Sequence, residues 1–343
     1  MSLLTYAPSL LAEEAELIAS DLYDVVGRAE SLPSERDQNF LLTTELGDRF
    51  VLKISNANEE LSLLEAQNQV MGHLQSVIDF CPQLIPTTSG REIVQISTEN
   101  ASHYVRLVTY IPGEPLALTV HSSRLLSDFG QHLGILTKHL WPFDHVAFHR
   151  DFHWDLANGM KIIESHARLL QNELRKQVEE CADLFSKSLV PLLSKLPRSV
   201  IHGDANDYNV IVENDLVVGL VDFGDMIHSY TVGELAVGIA YIVLDKADPL
   251  PHAKAIASGY ASEWSLDENE LDALWYLVLM RLCMSICLAA HQQEQQPENK
   301  YLAISQLSIR NSLPALMAID PEEASDTFRL VTMRHNTEGE RRD

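Results

Sequence analysis

Residues Val200–Asp225 read VIHGDANDYNVIVENDLVVGLVDFGD, and the assignment of the whole chain turns on them. Two apolar runs, Asn209–Val212 and Leu216–Val221, flank Glu213-Asn214-Asp215, the composition of a turn between two short strands. A hairpin built this way carries Asp204 and Asn209 at its entrance and Asp222 at its exit, so three oxygen-bearing side chains can converge. Such a set suits a hard divalent cation and a hydroxyl group that is to be deprotonated or oriented. The bland alternative, turn and cap residues, accounts for each residue singly but not for their order around a hairpin.

The arrangement His202-Gly203-Asp204, Asn209, Asp222-Phe223-Gly224 resembles the catalytic segment of kinases, in which an aspartate serves the acceptor hydroxyl while an asparagine and the Asp-Phe-Gly aspartate hold Mg²⁺. With Gly203 where protein kinases carry arginine and with Asp225 following Asp-Phe-Gly, it is similar to the aminoglycoside phosphotransferase family. That family is the small-molecule branch of the kinase fold and includes choline, ethanolamine, type II homoserine and hydroxylysine kinases. The resemblance implies an α+β, protein-kinase-like two-lobe fold. A small β-rich nucleotide-binding lobe is expected over residues 1–110, a hinge over 111–117 and a larger, mainly helical lobe over 118–343, with the catalytic hairpin at 200–225. It further implies that Asp204 is catalytic, that Asn209 and Asp222 hold Mg²⁺, and that ATP or GTP is the phosphoryl donor. His202 is expected to pack under Phe223 in a structural role.

Upstream, Phe40–Thr44 and Arg49–Ile54 flank Leu46-Gly47-Asp48 and read as a hairpin. Lys53 interrupts the apolar run Val51–Ile54 in the manner of the strand lysine that contacts the α- and β-phosphates. Its partner is expected on the helical stretch Asn58–Leu74, at Glu65, with Glu60 as the fallback. The polar segment Ser34–Asn39 lies where a phosphate-covering loop belongs, yet contains no glycine. Strands over Arg91–Ile96 and His103–Tyr110 lead into Thr109–Pro115, whose Pro-Gly pair marks a linker. The resemblance implies that the nucleotide base pairs there with backbone groups of Thr109, Tyr110 and Ile111.

Asp207 and Asp225 are extra carboxylates beside the catalytic groups, suited to holding an ammonium group by charge-assisted hydrogen bonds. Glu35–Phe40, Tyr110–Leu116 and Phe152–Leu156 look most like the hydroxylysine kinase branch and its bacterial relatives, which implies a hydroxyl-bearing amino acid or amino alcohol as acceptor. Homoserine, ethanolamine, choline and aminoglycoside acceptors stay open, as does a non-catalytic nucleotide-binding module. Trp141–His153 is rich in aromatic residues and histidines and reads as a packed loop, since it lacks a helical pair such as H-E-x-x-H for a metal. Leu271–Ala290 is long and apolar enough to span a membrane. Asp272 and Arg281 interrupt it, so a buried core helix is expected, in which Arg281 requires a carboxylate partner.

Composition sets the outer bounds. Of 343 residues, 46% are apolar and 22% charged, as in a globular protein. Acidic residues outnumber basic ones by 49 to 25, for a net charge of −24, which disfavours nucleic acid and anionic membranes as partners and favours cationic small molecules. Four cysteines show neither metal-site nor disulfide-framework spacing, and the acidic first residues do not form a signal peptide, so a cytoplasmic protein is expected.

Overall fold

Alternating burial along residues 38–54 produces the antiparallel ribbon from which the N-terminal sheet grows. In the computed structural model, which describes residues 7–34, 36–98, 101–295 and 306–339, the chain divides into two units, Met1–Pro112 and Gly113–Asp343.

The first unit contains α1 (Ala12–Tyr23), β1 (Gly27–Leu32), β2 (Gln38–Thr44), β3 (Arg49–Ile54), α2 (Leu61–Gln75), β4 (Leu84–Ile85), β5 (Val94–Ser97) and β6 (Ser102–Thr109). The strands form one antiparallel sheet in the order β1-β2-β3-β6-β4, with β5 also paired to β6. Because strand side chains alternate between faces, Phe40, Leu42, Leu52, Ile54, Val105 and Leu107 share one face, buried with Ala15, Ala19 and Tyr23 of α1. The intervening residues Asn39, Lys53 and Arg106 stand in register on the other face. There the buried Arg106 donates from Nη1 to Asn68 Oδ1 and from Nη2 to Gln67 Oε1, each at 2.9 Å, fastening β6 to α2.

The second unit begins with β7 (Glu114–Pro115), so part of the expected hinge is itself strand, paired to β9. It continues with α3 (Ser123–Leu140), α4 (Gly159–His166), α5 (Asn172–Leu184), α6 (Val190–Leu193), β8 (Arg198–Ile201), β9 (Val210–Glu213), β10 (Leu216–Leu220), β11 (Ile227–Tyr230), α7 (Gly233–Ile242), α8 (Leu250–Ala261), α9 (Glu268–Gln295), α10 (Gln306–Met317) and α11 (Pro321–Gly339). Two small sheets, β10-β9-β7 and β11-β8, sit among these helices. α3 and α8 cross at reciprocal glycines: a Cβ at Gly130 would overlap the carbonyl of Ile256, and one at Gly259 the carbonyl of Ser127. The membrane-length apolar run is α9, buried along most of its length in this unit, with Trp275 and Arg281 among its fully enclosed side chains. Arg329 of α11 secures the first turn of α9 by ion pairs to Glu268 and Asp272.

Candidate active site

The β9–β10 hairpin closes through Asn214 and Asp215, both at positive φ (53° and 63°), the backbone of a tight primed turn whose twist suits a two-residue hairpin. Helix α3 holds that turn from below. Its cap Ser122 accepts from Leu125 N and donates to the Asp215 carboxylate at 2.9 Å, and Asp128 Oδ2 accepts from Val217 N at 2.7 Å. At the other end, Val221 N donates to Asn209 O at 2.9 Å, which seats the residue after it, Asp222, beside the loop that opens the hairpin. Asn209 Nδ2 donates to the main-chain oxygen of Asp204 (2.8 Å) and to its Oδ2 (2.9 Å). With both amide hydrogens directed at Asp204, the Asn209 Oδ1 is left as an acceptor. The exposed Asp222, itself in the left-handed region at φ 65°, supplies further oxygens of the same hard character. This donor set fits a Mg²⁺-like cation.

The loop between β8 and β9 is fixed from beneath by Glu234, the second residue of α7, which is fully buried and accepts from His202 N at 2.6 Å. Burial pushes its carboxyl up to about 7, opposed by the amides of His202 and Gly203. The His202 ring packs edge-on against Phe223 at 4.8 Å and its Nε2 lies 3.1 Å from Val221 O, the structural role expected for it. Gly203 sits at φ 77°, where a Cβ would come within 3.2 Å of Asp225 O, so this turn has room for glycine where protein kinases place arginine.

Arg281, from the middle of α9, reaches the catalytic loop. Its Nη2 donates to Asp204 Oδ1 at 2.6 Å, Nε to the Tyr241 hydroxyl at 3.1 Å and Nη1 to Trp154 O at 3.3 Å, while the guanidinium lies 4.4 Å over the Trp154 ring. This supplies the carboxylate partner that the sequence leaves unidentified. Desolvation raises the Asp204 carboxyl above the usual aspartate range, with Asp225 and Asp222 adding and the Arg281 charge opposing.

Residues 28–268 match the family described as Phosphotransferase enzyme family, APH. The chain belongs to this phosphotransferase family. Its relatives include a hydroxylysine kinase of Mus musculus, 32% identical over 321 residues (86% of this chain and 85% of that protein), and a homoserine kinase of Zymomonas mobilis, 26% identical over 281 residues (76% and 80%). Among solved structures, a microcompartment-associated aminopropanol kinase superposes with a TM-score of 0.71 at 16% identity, covering 94% of this chain and 99% of that one. Amicoumacin kinase in complex with AMP-PNP and Ca²⁺ also gives 0.71 at 14% identity, with 91% and 96% covered. These superpositions establish the kinase-like fold expected from the motifs.

In this phosphotransferase the remaining expected residues fare differently. Lys53 stands half-buried on the Arg106 face of the N-terminal sheet. Glu65 does not join it: it lies on the exposed side of α2, whose inward stripe is Leu63, Leu64, Ala66, Gln67, Asn68, Val70, Met71 and Leu74. The fallback Glu60 is an exposed N-cap. The physical reason is register, since the inward positions next to Glu65 carry the amides that bind Arg106. Of the expected phosphate-covering segment, Glu35 falls outside the described residues, and the part that follows is pinned down, with Asn56 N donating to Asp37 Oδ1 and Asn56 Nδ2 to Arg36 O. Thr109 N donates to Gln83 O and Tyr110 N to Arg49 O, whereas among the described residues the Ile111 amide makes no such backbone bond.

Asp207 is half-buried and its carboxyl is pushed up to about 6, chiefly by desolvation. Asp225 is close enough for its charge to be felt by both Asp204 and Arg281. The aromatic loop folds back over the catalytic segment: Arg150 Nη2 donates to Gly224 O (3.2 Å) and Met226 O (3.0 Å), and Asp155 accepts from Ser229 of β11. Within reach of it, Asp144, His149 and His228 bring potential ligand atoms within 4.8 Å of one another, a cluster the sequence separates. The Asp144–His149 hydrogen bond and the stacking of His149 on His228 account for this grouping without an ion. Arg281, Glu234 and Arg150 are the site residues that motif spacing misses.

Proposed function

We propose that the protein is a small-molecule kinase that transfers the γ-phosphoryl group of ATP or GTP to a hydroxyl of an amino-bearing metabolite, a hydroxylysine-like amino acid or amino alcohol. The observation that carries this is the Asn209 amide, which spends its donors on Asp204 and keeps its oxygen for a cation, in a chain of this family. Asp204 accepts or orients the acceptor hydroxyl for in-line attack, with its carboxylate fixed from two sides. Asn209 and Asp222 hold Mg²⁺, which when bound neutralises charge on the phosphate oxygens. Lys53 serves the α- and β-phosphates, and the Ile111 amide is the base-recognition donor among Thr109, Tyr110 and Ile111. Four free, buried cysteines support placing the protein in the reducing cytoplasm.

An amine on the acceptor is supported by relatives named for hydroxylysine, homoserine and aminopropanol, each of which bears both an amine and a hydroxyl. Asp225 is the preferred amine partner, because its charge is felt at Asp204, where the hydroxyl must arrive; Asp207 is the second candidate. The test is Mg²⁺-dependent consumption of ATP and GTP across a panel of amino alcohols, hydroxy amino acids, choline and aminoglycosides. A hydrogen bond to a charged group contributes roughly 1.5–3 kcal/mol. N-acetylating the preferred acceptor should therefore lower kcat/KM by about ten- to a hundred-fold. Asp225→Asn should narrow that gap more than Asp207→Asn. Equal turnover of charged and uncharged acceptors would overturn the amine assignment, and no nucleotide consumption with any acceptor would overturn the kinase assignment.

A further inference from the structure

Asp204 has two carboxylate oxygens, and both have a fixed partner: Oδ2 takes the Asn209 amide and Oδ1 takes Arg281. The two partners differ in origin. Asn209 belongs to the same loop, whereas Arg281 comes from α9, 77 residues further along the chain. Only 2% of the Arg281 side chain is exposed, against 20% for Asp204, so solvent does not weaken this contact as it does a surface ion pair. Its other two bonds, to the Tyr241 hydroxyl and the Trp154 carbonyl, come from α7 and from the loop before α4, and fix the guanidinium in one orientation. A planar fork held at three corners presents its third edge to the carboxylate at a set angle, which a flexible ammonium cannot do.

From this geometry we infer that Arg281 is the positioning residue of the transfer step, setting the direction in which the Asp204 carboxylate faces the acceptor hydroxyl through the rigid triangle Trp154–Tyr241–Asp204. The inference rests on the kinase reading above. It assigns Arg281 no contact with the nucleotide, so its loss should act on turnover and not on donor binding. It also sets a ceiling: a residue that works only through Asp204 cannot matter once Asp204 is gone.

The experiment is a double-mutant cycle in the full chain, using Arg281→Met and Asp204→Ala alone and together. Arg281→Met is expected to lower kcat about a hundred-fold, the scale of an approximately 1 Å misplacement of a reacting group. The donor KM should stay within about twofold, and Arg281→Lys should recover only part of the loss, because it restores the charge without the fork. In the Asp204→Ala background, single-turnover rates with and without Arg281→Met should agree within about threefold. Equal fold-losses in the two backgrounds, or a donor KM that rises in step with the fall in kcat, would overturn the inference. If Arg281→Met does not fold, Arg281→Lys in both backgrounds makes the same comparison. The urea midpoints of the four proteins give a readout that needs no activity: the double variant should lose less stability than the sum of the singles, and additive losses would show that the pair is not coupled, overturning the inference. A wild-type protein that phosphorylates no acceptor while its midpoints still show coupling would instead overturn the kinase reading, and a catalytic role for the pair with it.

Discussion

Among the described residues, Arg106 in the N-terminal unit and Arg281 in the C-terminal unit are both enclosed, and they differ in what they hold. Arg106, in the N-terminal unit, is clasped by the side-chain oxygens of two neutral amides, Asn68 and Gln67. Arg281, in the C-terminal unit, is given a carboxylate, a phenol and a carbonyl. The two amides relieve the desolvation of a buried cation and tie strand to helix. A carboxylate partner brings an opposite charge, and here that carboxylate is Asp204, the residue proposed for the chemistry. Burial alone therefore does not mark a functional cation; what it holds does.

The contrast is sharpened most strongly by removing the negative partner while keeping its shape. Asp204→Asn should lower kcat by about 10³-fold or more, within the range for a lost general base, while nucleotide affinity changes only a few-fold. A steady-state assay with a parallel nucleotide titration checks this. The companion substitution, Arg106→Met, should move the other quantity. It strands two buried amide oxygens and costs about 2–4 kcal/mol of stability, read from the urea midpoint, while turnover per folded molecule falls far less than in Arg281→Met. An Arg106→Met protein of normal stability with collapsed turnover would erase the distinction.

A smaller effect is expected at the buried Glu234. Its carboxyl is at about 7 in the folded chain against 4.5 ordinarily, so between these values the native state binds the extra proton. The stabilising contribution of this group is therefore full below about pH 4.5 and lost as pH rises through about 7. Glu234→Gln should flatten the fall in stability between pH 5 and 8, by at most about 3 kcal/mol, in urea melts run across that range. An unchanged slope would show that the carboxyl is not titrating there. The smallest effect belongs to Glu65→Ala, which should leave stability within about 0.5 kcal/mol and kcat/KM within about twofold, as for an exposed position without a buried partner. A large loss of nucleotide affinity would restore the ion pair with Lys53.

These cases also show what could be read from the chain directly. The catalytic hairpin was legible because its determinants are local: the turn at Asn214 and Asp215, the strands on either side and the side chains at its ends all lie within 26 residues. The β2–β3 hairpin was legible for the same reason, its two strands and the Leu46-Gly47-Asp48 turn being neighbours in the chain. The partner of Arg281 was not, because helical periodicity identifies a buried face without saying what will be packed against it. Glu65 failed as a partner for a related reason. The sequence placed a glutamate well inside the right helix, but strand register put Arg106 beside Lys53 and so decided which helix positions faced the sheet. Glu234 stands in the first turn of a helix, where any carboxylate is favourable, and only the tertiary fold shows it reaching the amide of His202.

The crossing of α3 and α8 has a consequence for anyone wishing to retarget this enzyme. At Gly130 and Gly259 each helix rests on the main chain of the other, so there is no side chain to trim and no slack to absorb an added methyl group. α3 also carries Ser122 and Asp128, which anchor the catalytic hairpin. A combinatorial library should therefore leave codons 130 and 259 untouched and spend its diversity on exposed positions of the aromatic loop, such as Pro142, Asp144 and Val146, while keeping Arg150, Trp154 and Asp155, which hold the site.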